Sequence, residues 1–67
     1  MQIPVKIAIM SHLSDAQELV NMDCSKRAIN AEINMAKAIL MHAMENDTRT
    51  LSEQELDQIC MKFSNEE

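Results

Sequence analysis

Cysteine and histidine are the side chains that most often bind zinc, and this 67-residue chain has two of each, Cys24, Cys60, His12 and His42. Structural zinc sites usually take ligands in pairs from motifs such as C-x₂₋₄-C or H-x₃₋₅-H. No two of these four residues lie within four positions of each other. The spacing therefore predicts no metal site and no cofactor, and we expect both cysteines to be free thiols.

The sequence also carries no catalytic signature. A nucleophilic cysteine or serine needs a base beside it, and no Cys–His or Ser–His pair has a recognisable local setting. The carboxylates cluster near the end of the chain on a segment with an exposed, polar pattern, whereas acid–base catalysis needs a desolvated site. Glycine is absent, which excludes a glycine-rich phosphate loop. We predict no catalytic residue and no enzymatic activity.

The charges are unevenly distributed along the chain. Residues 1–44 carry four basic and four acidic residues, while residues 45–67 carry two basic and seven acidic ones and hold the whole net charge of −5. A neutral body has little attraction for nucleic acid. The longest apolar runs, residues 7–10 and 38–41, are too short to cross a membrane. We expect a cytoplasmic protein with no membrane segment.

The clearest helix spans residues 25–46 and has two apolar faces. The first consists of Ile29, Ile33, Ala36, Leu40 and Ala43/Met44. The second consists of small residues that allow close helix approach: Ala28, Ala31, Met35, Ala38 and His42. The helix can be sandwiched between its own neighbours, or the second face can be an oligomer seam. Chains below about 70–80 residues seldom have a sufficient core of their own, which favours a homodimer.

The last helix is predicted over residues 52–64 as an acidic amphipathic element. Ser52 and Glu55 form a capping box, and Leu51 and Leu56 occupy the positions of a hydrophobic staple. Its narrow apolar stripe ends at Phe63. A polar linker over residues 47–51 separates this helix from a helical body over residues 1–46, so we expect it to be a separable and less stable unit.

The N-terminal segment, residues 3–10, fits two conformations. In an extended segment Ile3, Val5, Ile7 and Ile9 fall on one face, which slightly favours a strand, but the segment can also begin a helix that runs to residue 22. As a strand it has no evident partner in its own chain. Either way the predicted fold is mostly α, a small three-helix domain.

The long helix begins with a pattern in which Arg27, Asn30, Glu32 and Ile33 match the second helix of ribbon-helix-helix proteins. Around residues 26–33 the chain therefore resembles the Arc and MetJ type. The resemblance implies an intertwined dimer whose strands lie in the DNA major groove. Its DNA contacts would be Lys6, Arg27 and Asn30. Because Lys6 alone could donate to a base edge from the strand, we expect DNA binding to be unlikely.

Two functions follow as expectations. The first is a small non-enzymatic helical protein that self-associates and binds another protein, through exposed side chains such as Met41 and Met61. The alternative is a ribbon-helix-helix transcriptional regulator or an antitoxin-like DNA-binding protein.

Overall fold

The computed structural model describes the backbone of residues 1–64 and the side chains of residues 1–62, so Phe63 lies outside the described side chains. Its elements are, in order, β1 (Gln2–Pro4), α1 (Val5–Asn21), α2 (Lys26–Asn46), β2 (Thr50–Ser52) and α3 (Glu53–Ser64). The predicted fold class, a small three-helix domain that is mostly α, is confirmed. A two-stranded antiparallel sheet joins the start of the chain to the start of α3.

The N-terminal segment is extended only as far as Pro4. Ile3 lies opposite Leu51 of β2, and α1 begins at Val5, whose N–H donates to the carbonyl of Arg49 at 2.8 Å. The preference for a strand over residues 3–10 was therefore wrong beyond Pro4, and so was the expectation that a strand here lacks a partner in its own chain. Helical winding buries Val5 and Ala8, whereas β2 is only three residues long and could not pair with a longer strand.

The predicted linker over residues 47–51 contains most of β2. Leu51 is 1% exposed and belongs to the core cluster. The polar residues before it masked this strand in the sequence, because three residues are too few for an alternating pattern to be recognised. The predicted capping box at the start of α3 is present: the Glu55 N–H donates to Ser52 Oγ, and the Ser52 N–H donates to Glu55 Oε1.

A residue with positive φ closely follows each of α1 and α2, and in this chain without glycine both are aspartates. Asp23 has φ 59° and Asp47 has φ 50°. After α1, the N–H groups of Asp23 and Cys24 donate to the carbonyls of Val20 and Leu19. These are the bonds of a Schellman motif, which satisfies the last carbonyls of the helix. Aspartate tolerates this conformation better than most residues, since its short polar side chain can bond locally.

The core lies where α1, α2 and the sheet meet. Its buried members are Val5, Ala8, Ile39, Ala43 and Leu51, with Ile3, Ile9, Leu56, Ile59 and Cys60 packed against them. Ile39, which is fully buried, belongs to neither predicted face of α2. The buried line of α2 runs between those faces, because α1 and α3 both pack on this helix. Leu40 and Met44, predicted on the first face, are instead exposed.

Candidate functional site

A single imidazole connects the three helices. His12, on α1, has its Nδ1 atom 3.1 Å from Glu32 Oε1 on α2. Its Nε2 atom lies 3.6 Å from Cys60 Sγ on α3. The side chains of His12 and Glu32 are both largely buried. We refer to His12, Glu32, Cys60 and the nearby Asp15 as the three-helix junction.

The surroundings of Cys60 determine its protonation. Partial burial raises the pKa of the Cys60 thiol, and the negative charges of Asp57 and Glu32 raise it further. Cys60 is therefore a thiol at neutral pH. The direction of the two His12 contacts depends on which ring nitrogen carries the proton: Nδ1–H would donate to Glu32, and Nε2–H would donate to Cys60 Sγ.

The order Cys60–His12–Glu32 is that of a nucleophile, a base and a carboxylate that orients the base. Nucleophilic cysteines, however, depend on a lowered pKa, which positive neighbours or a helix N-terminus provide. Here the neighbouring charges are negative, and Cys60 lies inside α3 rather than at its start. The junction therefore holds a thiol in a hydrogen bond and does not activate it.

Two grooves flank the junction. The larger, about 530 Å³, lies between α1 and α3 and is lined by Ile7, His12, Leu56 and Cys60 among others. The smaller, about 270 Å³, is lined by Asp15, Glu18, Leu19, Met22 and Glu32. Most of the lining surface is apolar in both grooves, and three of the five residues that line the smaller one are acidic.

The residues of the predicted oligomer seam lie partly under α3 of the same chain. Met35 lines the larger groove together with Leu56 and Cys60. Ala38 and His42 line a third groove together with Ile59. All five seam residues, Ala28, Ala31, Met35, Ala38 and His42, are half-buried. At Met35, Ala38 and His42, α2 lies between α1 and α3 of the same chain, which is the sandwiched alternative given above.

The opposite side of the α1–α2 pair is apolar and uncovered by any described part of the chain. On one side, α3 approaches Ser11 and His12 of α1 and Met35 of α2. By helical spacing, the apolar residues on the far side of the α1–α2 contact point away from α3. Leu13, Val20, Leu40 and Met44 are all exposed there, the last at 72%. The open face, as we call it, consists of the exposed Leu13, Val20, Leu40 and Met44 and the half-buried Ile9, Ile29 and Ile33 beside them.

The remaining candidate residues are exposed and dispersed. Met41 is 60% exposed and lines the third groove, on the side of α2 that faces α3, while Met61 is 58% exposed on α3 itself. Lys6 lies in the first turn of α1, whereas Arg27 and Asn30 lie in the first turns of α2. Because α1 and α2 run antiparallel, with His12 opposite Glu32, the structure does not bring Lys6 together with the other two.

No family model, no curated protein and no solved structure matches this chain. Among the described residues, none of the helices combines the length and the apolar character needed to cross a membrane.

Sequence reasoning missed the three-helix junction because its residues lie 20 and 48 positions apart. One local signal was available. His12 and Asp15 are three residues apart and so share a face wherever the segment is helical. Pairs of cysteine and histidine alone do not reveal such a His–Asp pair.

Proposed function

We propose that this protein is a non-enzymatic module that forms a homodimer through the open face of α1 and α2. The observation that carries the proposal is that a continuous apolar flank on two adjacent helices remains exposed after α3 has packed. Exposed apolar residues that occur singly are normal, but contiguous patches mark interfaces.

The composition of the face and its border also suits a dimer interface. The seven residues of the open face are aliphatic or methionine, as in the centre of an interface that excludes water. Lys6, Lys26 and Lys37 lie at its edge by helical spacing and are exposed, which places charge at the rim. Since both copies bring the same basic rim, dimerisation should strengthen as salt screens these charges.

The test is disruption of the open face by charge in a chain that stays folded. Leu13→Glu should yield a monomer, because Leu13 is 43% exposed in the free chain but would be dry in the dimer. Analytical ultracentrifugation over about 1–100 μM, a range that spans ordinary dimer constants, measures the association. Far-ultraviolet circular dichroism measures whether the helices remain.

The matched control is Met41→Glu, which adds the same charge to an exposed position of α2 off the open face. It should dimerise as the wild type does. A wild-type chain that is folded and monomeric at about 100 μM would contradict the proposal. Equal disruption by both variants would also contradict it, because the charge would then act through something other than the open face.

Binding of a protein partner and the ribbon-helix-helix resemblance both stay predictions. Met41 and Met61 would remain exposed in the proposed dimer and are the positions at which a partner is expected. For DNA we keep the expectation of no sequence-specific binding, since Lys6 is far along the helix pair from Arg27 and Asn30.

A further inference from the structure

We propose that His12, Asp15 and Glu32 bind a divalent transition-metal ion of the zinc class. One ligand atom from each of these three side chains lies within 4.8 Å of the other two. The site is distinct from the open face and does not depend on dimerisation.

The fold brings the ligands together from two helices. His12 and Asp15 are three residues apart on α1 and therefore project from the same face. Glu32 reaches them from α2, with its Oε1 atom 3.1 Å from His12 Nδ1. Zinc holds nitrogen and oxygen ligands at about 2.0–2.2 Å, so two tetrahedral ligands lie roughly 3.3–3.5 Å apart. His12 and Glu32 already have about that separation, and exposed Asp15 has room to rotate toward them.

The electrostatic environment favours a cation. Asp15 and Glu32 line the smaller groove together with Glu18, and its lining includes neither lysine nor arginine among the described residues. The carboxylates of Asp15 and Glu32, which lie within 4.8 Å of each other, bring two negative charges to one place. A bound dication would neutralise both. Glu18 adds to the negative field without belonging to the ligand set, and water from the open groove would complete the coordination.

Cys60 would support the site from outside the ligand set. A histidine that ligates a metal through one ring nitrogen usually donates its other ring N–H to a nearby acceptor, which fixes the orientation of the ring. If Nδ1 binds the metal, the ring proton lies on Nε2, and the Nε2–H can donate to Cys60 Sγ at 3.6 Å. Metal binding would therefore fix this tautomer and leave the thiol in place.

The donor set selects the class of ion. Magnesium and calcium prefer six or more oxygen ligands, whereas one imidazole with two carboxylates suits zinc and its transition-metal neighbours. The bound ion would join α1 to α2 beside the position where α3 packs. Its binding energy would therefore add to the stability of the folded chain.

The experiment is a titration of zinc chloride into the chain in a Cys24→Ser background, followed by calorimetry and by ¹⁵N spectra of the histidine rings. Zinc should bind one per chain and shift the Nδ1 resonance of His12, with the ring proton on Nε2 in the bound state. His12→Ala and Asp15→Asn should each weaken binding by about tenfold or more, while magnesium should not compete.

Two matched variants distinguish binding by specific ligands from a general attraction of the cation to the negative charge of the groove. Glu18→Gln removes a charge from the same groove but no ligand, and it should change the affinity by less than about threefold, the size of a screened surface interaction. Cys60→Ser keeps an acceptor near Nε2 and should also retain binding.

Three outcomes would overturn the proposal. The first is no binding by the parent chain at about 1 mM zinc, where even a weak site should fill. The second is unchanged affinity in both His12→Ala and Asp15→Asn. The third is a loss in Cys60→Ser as large as that in Asp15→Asn, because the sulfur and not the carboxylate would then be the ligand. Asp15 is exposed, so its variant stays folded even if His12→Ala does not.

Discussion

The two sides of the α1–α2 pair have similar apolar patterns in the sequence, but α3 covers one side and leaves the other exposed. On one side, Leu51, Leu56 and Ile59 pack against the helices, and the imidazole of His12 bonds to both neighbours. On the other side Leu13, Leu40 and Met44 remain exposed. What separates the two sides is the path of the chain after α2, because β2 pairs with β1 and thereby directs α3 across one side only.

The largest expected difference between the two sides is in the cost of removing a leucine side chain. Leu51→Ala should destabilise the chain by about 2–5 kcal/mol, because it opens a cavity at a position that is 1% exposed. A core of this size supplies only about 3–5 kcal/mol, so much of the variant should be unfolded. Urea denaturation followed by circular dichroism at low protein concentration measures the loss.

Leu40→Ala is the matched control, since it removes the same atoms from the open face. It should cost less than about 1 kcal/mol in the monomer, as most substitutions at exposed positions do. Equal losses in the two variants would mean that the open face is covered within the monomer, and the contrast between the sides would disappear.

A smaller difference is expected in the local stability of α3, the helix that covers one side. Ser52→Ala removes the acceptor for the Glu55 N–H and should cost about 1 kcal/mol at the start of α3. Amide exchange should quicken in α3 and stay nearly constant in α2, which has its own cap from Ser25. The sequence predicted such a separable unit over residues 52–64. Equal acceleration in both helices would show instead that α3 unfolds only together with the core.

The smallest effect concerns the chemistry of the thiol on the covered side. Asp57→Asn removes one of the two charges that raise the pKa of Cys60. A larger fraction of Cys60 should then be thiolate near pH 8, and alkylation by iodoacetamide should become faster by a small factor. Cys24, in the turn between α1 and α2, serves as the internal control whose rate should not change. Slower or unchanged alkylation of Cys60 would contradict the electrostatic account.

The sequence predicted those parts of the fold that depend on local signals. Ser25 accepts from the Ala28 N–H at the start of α2, and Ser52 and Glu55 form the predicted box at the start of α3. Side-chain capping acts over three or four residues, so it can be recognised without knowledge of tertiary structure. The bounds of α2 and α3 agree with the predicted helices within one residue.

The remaining features depend on contacts between distant residues. The alternation of apolar residues from Ile3 to Ile9 is typical of a strand. The Val5 N–H nevertheless donates to the carbonyl of Arg49, and the helix starts at Val5. Ile39 was overlooked because two packing partners share α2, and the deepest position lies between the two faces that they cover. The His12–Glu32–Cys60 contacts could not be inferred at all, since no pattern in the sequence fixes how three helices are rotated about their axes.

The pairing of β1 with β2 also determines the order in which this chain can fold. Gln2 and Ser52 lie at the two ends of the chain segment that contains α1 and α2. Closing a loop of about 50 residues costs about 3 kcal/mol in chain entropy, whereas the α1–α2 turn joins neighbours in sequence. The helical hairpin can therefore form first, within microseconds to milliseconds, and the strand pair last. By the same reasoning we expect the strand pair to open first during unfolding and to release α3 and the three-helix junction while the hairpin is still formed.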